Sequence, residues 1–463
     1  MRSILLAVVM CLNPAFPLFA QNTDIESLSG LQFNFGNPGA RSLGMGGAFL
    51  GLADDASAAE SNPAGLTILR KPEVSIEFHN FKEQQMFTTT GTYPDIQRTA
   101  FSHYGHRLSF ASFVIPIKSL TIGAYFHEPL HNQGSGQVAP VVNKLSGQIV
   151  TDVPAFYLPT TAGGPVSKSE CAAIDQKAND PFACLEYTIL PFLSQLTVQE
   201  RTFGLSAAYE IGHLSGGVTV RRQKFDESAF TFRPEFPPSI AVQATSDITG
   251  SNGNAKDVSA ITLTGGMKWT INNNVSVGGV YKQGAKFNTE IFEATADTAN
   301  QFVKVGDTTF HVPDVYGVGV SVSPIPVLKV NADAVRVAYS NLVDDFVSIN
   351  ADIRSLDKAY KANDVTELHV GAEYFFLMKV PVAIRAGVWR DPAHSIEYRG
   401  PLDKGEVRAR AAEVADAILY PKGSAQRHIS LGAGLAWPQF SIDAAFDYSR
   451  RYQVGSISAV ARF

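Results

Sequence analysis

Apolar and polar residues alternate with a period of two along many segments of this chain. In the run 441–448, Ile, Ala, Phe and Tyr occupy the even positions, whereas Ser and two Asp residues are among the odd ones. The runs 428–437 and 261–271 show the same division, and glycines are frequent on their polar side. A β-strand has this period, because its side chains point alternately to its two faces. The sequence therefore predicts an all-β fold.

Alternation alone fits a soluble sandwich as well as a membrane barrel, and the spacing of the strands distinguishes them. Tight turns, as at 116–119 and 272–274, alternate with long loops. The predicted loops are 131–195, 227–256, 288–306, 341–363 and 391–426. The fourteen predicted strands are 73–87, 97–115, 119–130, 196–211, 214–226, 257–271, 275–287, 307–323, 327–340, 365–377, 380–390, 427–437, 439–449 and 453–463. An even strand number with turns and loops at opposite ends indicates a 14-stranded antiparallel transmembrane β-barrel of a bacterial outer membrane.

Both ends of the chain agree with export to that membrane. Arg2, the apolar run 4–12 and the small residue Ala20 predict a signal peptide over 1–20. The last residue, Phe463, ends a predicted strand, as is usual for chains recognised by the barrel assembly machinery. We therefore expect location in the outer membrane of a Gram-negative bacterium, in contact with its lipid.

Composition and motifs argue against other classes. The chain has 38 Lys and Arg against 43 Asp and Glu residues, a net charge of −5, and no dense basic block, so we expect no nucleic-acid partner. No zinc-type Cys/His spacing occurs, and the run 127–131 (HEPLH) has Pro129 inside the helical turn that a zinc protease needs. There is no GxSxG nucleophile motif either. We expect neither a metal, nor a cofactor, nor an enzyme.

The stretch before the first strand is rich in glycine and alanine. It reads GARSLGMGGAF over 39–49 and continues to Asn62-Pro63-Ala64. Asp54 or Asp55 can cap a short helix, and Pro63 forces the preceding residue out of helical geometry. Taken alone, these residues fit a linker with one helical turn. A dinucleotide loop does not fit, because Phe49 stands where its third glycine would be.

This stretch closely resembles the N-terminal plug, or hatch, of the FadL/TodX family of outer-membrane transporters for long-chain fatty acids and other hydrophobic compounds. The runs 384–392 and 428–448 are also similar to that family. The resemblance implies a hatch over 21–72 inside a barrel over 73–463, and a ligand that leaves sideways through the wall. The implied hatch and gating residues are Asn62, Pro63, Ala64, Gly44, Gly46 and Gly47.

Two other groups of residues are candidates for ligand binding. Apolar side chains in the predicted outer loops could capture a hydrophobic ligand or merely close the barrel mouth; they are Phe230, Phe232, Phe236, Ile291 and Phe292. Lys268, Lys329 and Arg385 are predicted to point into the lumen. They could bind a carboxylate, although inward polar groups are routine in barrels.

Cys171 and Cys184 lie in the longest predicted loop, separated by twelve residues. Export through an oxidising compartment favours a disulfide between them, and free thiols are the alternative.

The function that we expect is passive uptake of long-chain fatty acids or hydrocarbons by a monomeric channel. The alternative is a barrel of the PorV type, which serves as a docking partner for secreted proteins. Apolar capture loops favour the channel.

Overall fold

The structure, a computed structural model, describes part of the chain. The described residues are 36–86, 100–138, 141–142, 149–150, 155–188, 192–234, 241–247, 258–294, 303–343, 360–400, 410–411, 413–414 and 422–463. The predicted signal peptide and residues 21–35 of the predicted hatch lie outside them.

Fourteen strands of the described chain form one closed antiparallel wall. They are β1 Glu73–Met86, β2 Ala100–Ile117, β3 Leu120–Val138, β4 Phe192–Ile211, β5 Leu214–Pro234, β6 Ser259–Asn272, β7 Val275–Lys282, β8 Val315–Ile325, β9 Leu328–Val337, β10 Val365–Phe376, β11 Val382–Asp391, β12 Gln426–Ala436, β13 Phe440–Tyr448 and β14 Tyr452–Arg462. Each strand pairs with the next in the chain, and β14 pairs with β1. The predicted 14-stranded barrel is confirmed.

Short connections lie at one end of the barrel and long ones at the other. Two residues join β2 to β3, β4 to β5, β6 to β7 and β8 to β9. At the opposite end, residues 139–191 join β3 to β4 and residues 392–425 join β11 to β12. The predicted alternation is therefore present. We refer to the two ends as the turn end and the loop end.

The predicted loops at the loop end contain more strand than expected. β5 continues to Pro234 and pairs there with Ala241–Asp247, and the strand Lys286–Ala294 pairs with Val303–His311. The predictions of loops over 227–256 and 288–306 are wrong for these residues. The prediction of a loop over 131–195 is likewise wrong for the end of β3, which continues to Val138, and for the start of β4 at Phe192. Strand pairing does not stop at the membrane boundary, because backbone groups above it still gain hydrogen bonds. The shorter paired strands are Val141–Val142 with Ile149–Val150, Ala155–Pro159 with Cys184–Thr188, and Tyr360–Lys361 with Glu397–Tyr398.

The strands bury their polar face and expose their apolar face. On β6, Ile261 and Met267 are 74% and 59% exposed, whereas Thr262 and Lys268 are buried. This is the reverse of a soluble protein and is the arrangement of a barrel wall in lipid, whose lumen is polar. Aromatic pairs lie towards both ends of the exposed band, as in the girdles of such barrels; they are Tyr281 with Tyr316 and Trp437 with Phe440.

Residues 36–72, which we call the N-terminal segment, lie inside the wall. They contain helix α1 (Ala40–Gly44), helix α2 (Ala58–Ser61) and a 3-10 turn (Pro63–Ile68). A third helix, α3 (Lys168–Ala178), belongs to the connection between β3 and β4, and a second 3-10 turn (Tyr339–Val343) follows β9. Within the described ranges, no helix is long and apolar enough to span a bilayer.

Candidate functional site

Asn62 lies at a corner of the N-terminal segment, between α2 and the 3-10 turn. Its side chain is fully buried, and its amide nitrogen donates to the carbonyl oxygens of Leu50 and Met267 at 3.1 and 3.2 Å. Its amide oxygen accepts a 3.3 Å bond from the nitrogen of Ala64, as an N-cap does. The backbone of Asn62 is extended, with φ −155°, which Pro63 favours. Asn62 therefore connects two parts of the N-terminal segment with β6.

Glycines of the wall allow the N-terminal segment to approach it closely. A Cβ atom at Gly278 would lie 2.1 Å from the carbonyl oxygen of Leu50, and one at Gly217 would lie 2.5 Å from the nitrogen of Ala64. A Cβ atom does not fit at these distances. The close packing of the N-terminal segment therefore requires glycine at these positions on the polar face of the strands.

The predicted hatch glycines lie against the other side of the barrel. Gly46 and Gly47 have positive φ angles of 65° and 79°, which favour glycine. A Cβ atom at Gly44 would lie 3.1 Å from the Cα atom of Gly432 on β12. Gly44 ends α1, and Gly46 and Gly47 lie in the turn that follows it.

Charged side chains join the N-terminal segment to the wall strands β9 and β10. Arg41 lies 2.5 Å from Asp54 and 2.8 Å from Glu373, and Lys329 lies 2.8 Å from Asp54. Burial alone would raise the pKa of Asp54, but the charges of Arg41 and Lys329 outweigh it and hold that pKa well below its usual range. The carboxylates likewise raise the pKa of Arg41. These ion pairs therefore stay charged at neutral pH.

The same network continues around the wall to β11 and β13. Arg385 lies 2.7 Å from Glu373 and 2.7 Å from Asp443. Glu373 thus has a guanidinium on each side and is completely buried. We call Arg41, Asp54, Lys329, Glu373, Arg385 and Asp443 the charged network.

The three cations predicted to bind a ligand carboxylate all point inward but already have partners in the chain. Lys329 pairs with Asp54, Arg385 pairs with Glu373 and Asp443, and Lys268 donates to the carbonyl oxygen of Leu52. A ligand carboxylate at any of them therefore has to share the cation with a group of the chain or displace that group.

A second polar cluster surrounds Glu60 of α2. Glu60 lies 2.9 Å from the amine of Lys282 and 3.8 Å from His127, and it accepts a hydrogen bond from the hydroxyl of Tyr125. Opposite charges lower the pKa of Glu60, although burial alone would raise it. Glu60, His127 and Lys282 line a small pocket together with polar residues of β4 and β5, such as Arg221, and with the apolar residues Val312 and Val315.

Sequence reasoning did not identify Arg41, Glu373 and Glu60 as functional. The sequence predicts only a helix cap for Asp54 or Asp55, whereas Asp54 pairs with Arg41 and Lys329 in the structure. For Arg41, Asp54 and Glu60, the available signal was that charged residues occur within a glycine- and alanine-rich stretch. A simple linker of small residues does not require such charges.

An apolar core closes part of the loop end. It comprises Phe225, Ala285, Phe287, Val312, Val315, Val337, Tyr339, Leu342, Tyr360, Ala362, Val365, Ile396 and Tyr398. The rings of Phe225 and Phe287 stack with centroids 5.3 Å apart. This is the kind of core that the alternative interpretation of the apolar loops expected.

Four of the five predicted capture residues lie on paired strands above this core. We call these strands, the end of β5 with Ala241–Asp247 and Lys286–Ala294, the outer ladder. Phe230 and Phe232 lie on β5, where they pair with Thr245 and Gln243, and Phe292 pairs with Asp247. Ile291 precedes Phe292 on the strand Lys286–Ala294. Phe236 lies outside the described residues. Backbone pairing thus brings the two predicted groups to the same sheet.

The connection between β3 and β4 forms a small separate unit. Cys171 of α3 and Cys184 form a disulfide, with Cα atoms 5.4 Å apart. The buried guanidinium of Arg410, in the connection between β11 and β12, donates to the carbonyl oxygens of Pro159, Thr160 and Gly163. Two long outer connections are thereby held together.

The HEPLH run lies on strand β3, not on a helix, as Pro129 predicts. His127 and Glu128 are both buried, because a register shift places two residues of β3 opposite one of β4. Among the described residues, no cluster of His, Cys, Asp or Glu is arranged to hold a metal ion.

No protein-family model matches the sequence, and no curated protein matches it. Solved structures do match. The Ralstonia pickettii toluene transporter TbuX aligns with a TM-score of 0.55 and 16% identity over 93% of this chain and 100% of its own. A Pseudomonas aeruginosa FadL homologue gives 0.56 and 13%, over 94% and 100%. The P. putida toluene transporter TodX gives 0.53 and 13%, over 93% and 99%.

These structures represent the transporters that residues 37–66 resemble. Sequence identities of 13–16% support a similarity of fold and nothing more specific. The chain has the closed, 14-stranded antiparallel barrel fold of the FadL-type transporters.

Proposed function

We propose that this protein is a passive outer-membrane channel for hydrophobic compounds and that its N-terminal segment is the plug. One observation carries the proposal: the N-terminal segment contacts β2–β4 on one side and β9–β13 on the other, so it lies across the lumen. The apolar outer wall supports a place in lipid. The matching structures include toluene transporters and a FadL homologue, which supports a hydrophobic solute.

The solute class is a long-chain fatty acid or a hydrocarbon. Such a compound needs no water-filled pore, since it gains about 0.8 kcal/mol for each methylene that leaves water. A plugged lumen that opens briefly suits such a solute and prevents leakage of ions. The protein acts without a cofactor and as a monomer, and exposed Phe463 serves its recognition by the assembly machinery.

The exit that we propose is lateral, at the bulge of β3. Two residues there, Glu128 and Pro129, lie opposite Arg201 alone, because His127 pairs with Thr202 and Leu130 with Glu200. Proline has no N–H to donate to the ladder, so the wall is weaker here than elsewhere on β3. A solute that leaves at this point enters lipid without crossing the turn end.

Capture takes place at the ladder that carries Phe230, Phe232 and Phe292. A hydrophobic solute needs an apolar contact outside the membrane before it can enter the barrel. The apolar core beneath the ladder supports it but is itself buried, so the capture surface is the ladder above and not the core.

The test is uptake of radiolabelled oleate and toluene by Gram-negative cells that lack their own transporters for these compounds. Expression of the protein should raise uptake of at least one of them. Replacement of Phe230, Phe232 and Phe236 by serine should lower that uptake roughly tenfold, since several apolar contacts of about 1 kcal/mol or more are lost. The matched control is Phe182→Ser, which changes an exposed phenylalanine of another outer connection.

Two results would contradict the channel. One is uptake equal to that of cells without the protein, at normal surface abundance. The other is unchanged uptake by the triple serine variant together with a loss of secreted-protein docking, which would favour the PorV-type barrel.

A further inference from the structure

Asp333 on β9 and His369 on β10 are direct cross-strand partners, and both are buried inside the barrel. Oδ2 of Asp333 accepts hydrogen bonds from the backbone nitrogens of Phe49 and Leu50, at 2.6 and 2.8 Å. Nδ1 of His369 lies 2.7 Å from the carbonyl oxygen of Gly46. One pair of wall residues therefore holds both ends of the stretch 46–50 of the N-terminal segment.

Both ring nitrogens of His369 face oxygen atoms that can only accept. Nδ1 faces the carbonyl oxygen of Gly46, and Nε2 lies 3.3 Å from the carboxylate of Glu367. A neutral imidazole has a single N–H, whereas the imidazolium has two. Only the charged ring can donate to both oxygens, so the geometry favours the protonated form.

Burial opposes a positive charge on the ring, but the carboxylates around it favour that charge. Glu367 lies on the same strand, Asp333 lies opposite on β9, and Trp389 of β11 stacks on the ring with centroids 5.1 Å apart. The N-terminal segment contributes only backbone groups over 46–50, and a Cβ atom at Gly47 would lie 3.1 Å from Nδ1. The ring and the segment are thus in direct contact.

We propose that Asp333 and His369 form a proton-dependent latch on residues 46–50. While His369 is protonated, the latch makes all of its hydrogen bonds. When the pH rises through the titration of His369, the ring loses one N–H and its charge, and the stretch 46–50 is released. The role of this latch in opening the channel rests on the proposed function, whereas the latch itself is a property of the chain without solute.

Hydrogen–deuterium exchange on the full-length mature protein in detergent tests the latch. The amides of 44–53 are followed between pH 5 and 9, and each rate is divided by the intrinsic rate of an unstructured peptide at that pH. We expect protection to fall roughly tenfold as the pH rises, since a charge-assisted hydrogen bond is lost. His369→Gln keeps a donor but cannot titrate, so the pH step should disappear.

His428→Gln is the matched control. His428 is buried, stacks on Trp389 with centroids 3.7 Å apart and lies 2.6 Å from Asp447, but its contacts are with the wall. The pH step should persist in this variant, and Asp333→Asn should lower protection at every pH. Heat-dependent migration on gels establishes that each variant is a folded barrel.

A pH step that persists in His369→Gln, or that is lost equally in His428→Gln, would overturn the latch. Uptake of solute is measured separately. An intact, His369-dependent step in a protein that takes up no solute would support the latch and contradict the channel, so the two failures are distinguishable.

Discussion

The two sides of the N-terminal segment differ in chemistry. Towards β2–β4 it forms an apolar core, whose members are Met45, Phe49, Leu52, Ala53, Ala56, Ala58, Ala59, Leu66, Leu69, Phe110, Val114, Tyr125 and Ala208. Towards β9–β13 it is held by the charged network and by the bonds of Asp333 and His369. One continuous segment thus has a side that is mainly apolar, with the Glu60 cluster as its charged exception, and a side that is held by charged and polar contacts.

This difference indicates which side can move. Exposure of an apolar core costs about 1.5–3 kcal/mol for each large side chain, and water does not compensate for it. A charged contact that opens into a wet lumen exchanges its partners for water, and the net cost is far smaller than the Coulomb energy. We therefore expect the segment to stay attached at β2–β4 and to detach from β9–β13.

The largest effect is expected from Glu373→Ala. Glu373 separates Arg41 from Arg385, and its removal leaves two buried guanidiniums without this partner. Breaking a buried ion pair costs about 3–5 kcal/mol. The charged side should detach, and ion conductance through planar bilayers should rise from near zero to that of an open pore.

The control for this variant is Glu210→Ala at the turn end. Glu210 lies 3.5 Å from Arg70, which is exposed, and is itself partly exposed, so the expected loss is at most about 1 kcal/mol with no change in conductance. If Glu373→Ala remained closed, the charged side would not be what keeps the segment in place.

A smaller effect is expected from Asn62→Ala. This change leaves the buried carbonyl oxygen of Leu50 and the partly buried one of Met267 without the Asn62 donor, at a cost of about 1–3 kcal/mol. Solute uptake should change while the barrel still shows heat-dependent migration. Asn272→Ala, at the exposed last residue of β6, is the control and should leave uptake unchanged. Unchanged uptake by Asn62→Ala would reduce this residue to a folding element.

The features that were predictable from the sequence are local ones. Period-two alternation and turn spacing depend on neighbouring residues, and so does the extended geometry that Pro63 imposes on Asn62. These signals sufficed for the number of strands and for the inward direction of Lys329 and Arg385.

The features that were not predictable depend on distant residues. Arg41 and Glu373 are 332 positions apart, and their contact requires the register of every strand between them. The extent of the outer ladder was missed for a different reason. A membrane-spanning strand needs only about 9–11 residues, whereas β4 and β5 have 20 and 21 residues. The alternation of Phe230 and Phe232 about Thr231 was the available signal for that extension.

The most direct test of the account compares the accessibility of two buried serines after replacement by cysteine. Ser42 belongs to α1, which packs against β12 and β13, whereas Ser61 belongs to α2, which packs against β3 and β4. Cys171 and Cys184 form a disulfide and should not react. The rate of modification by a charged thiol reagent is measured with and without oleate or toluene. We predict a rise of roughly tenfold or more with solute for Ser42→Cys and no rise for Ser61→Cys. An equal rise in the modification rate at both positions, or no rise at either, would contradict a segment that opens from its charged side.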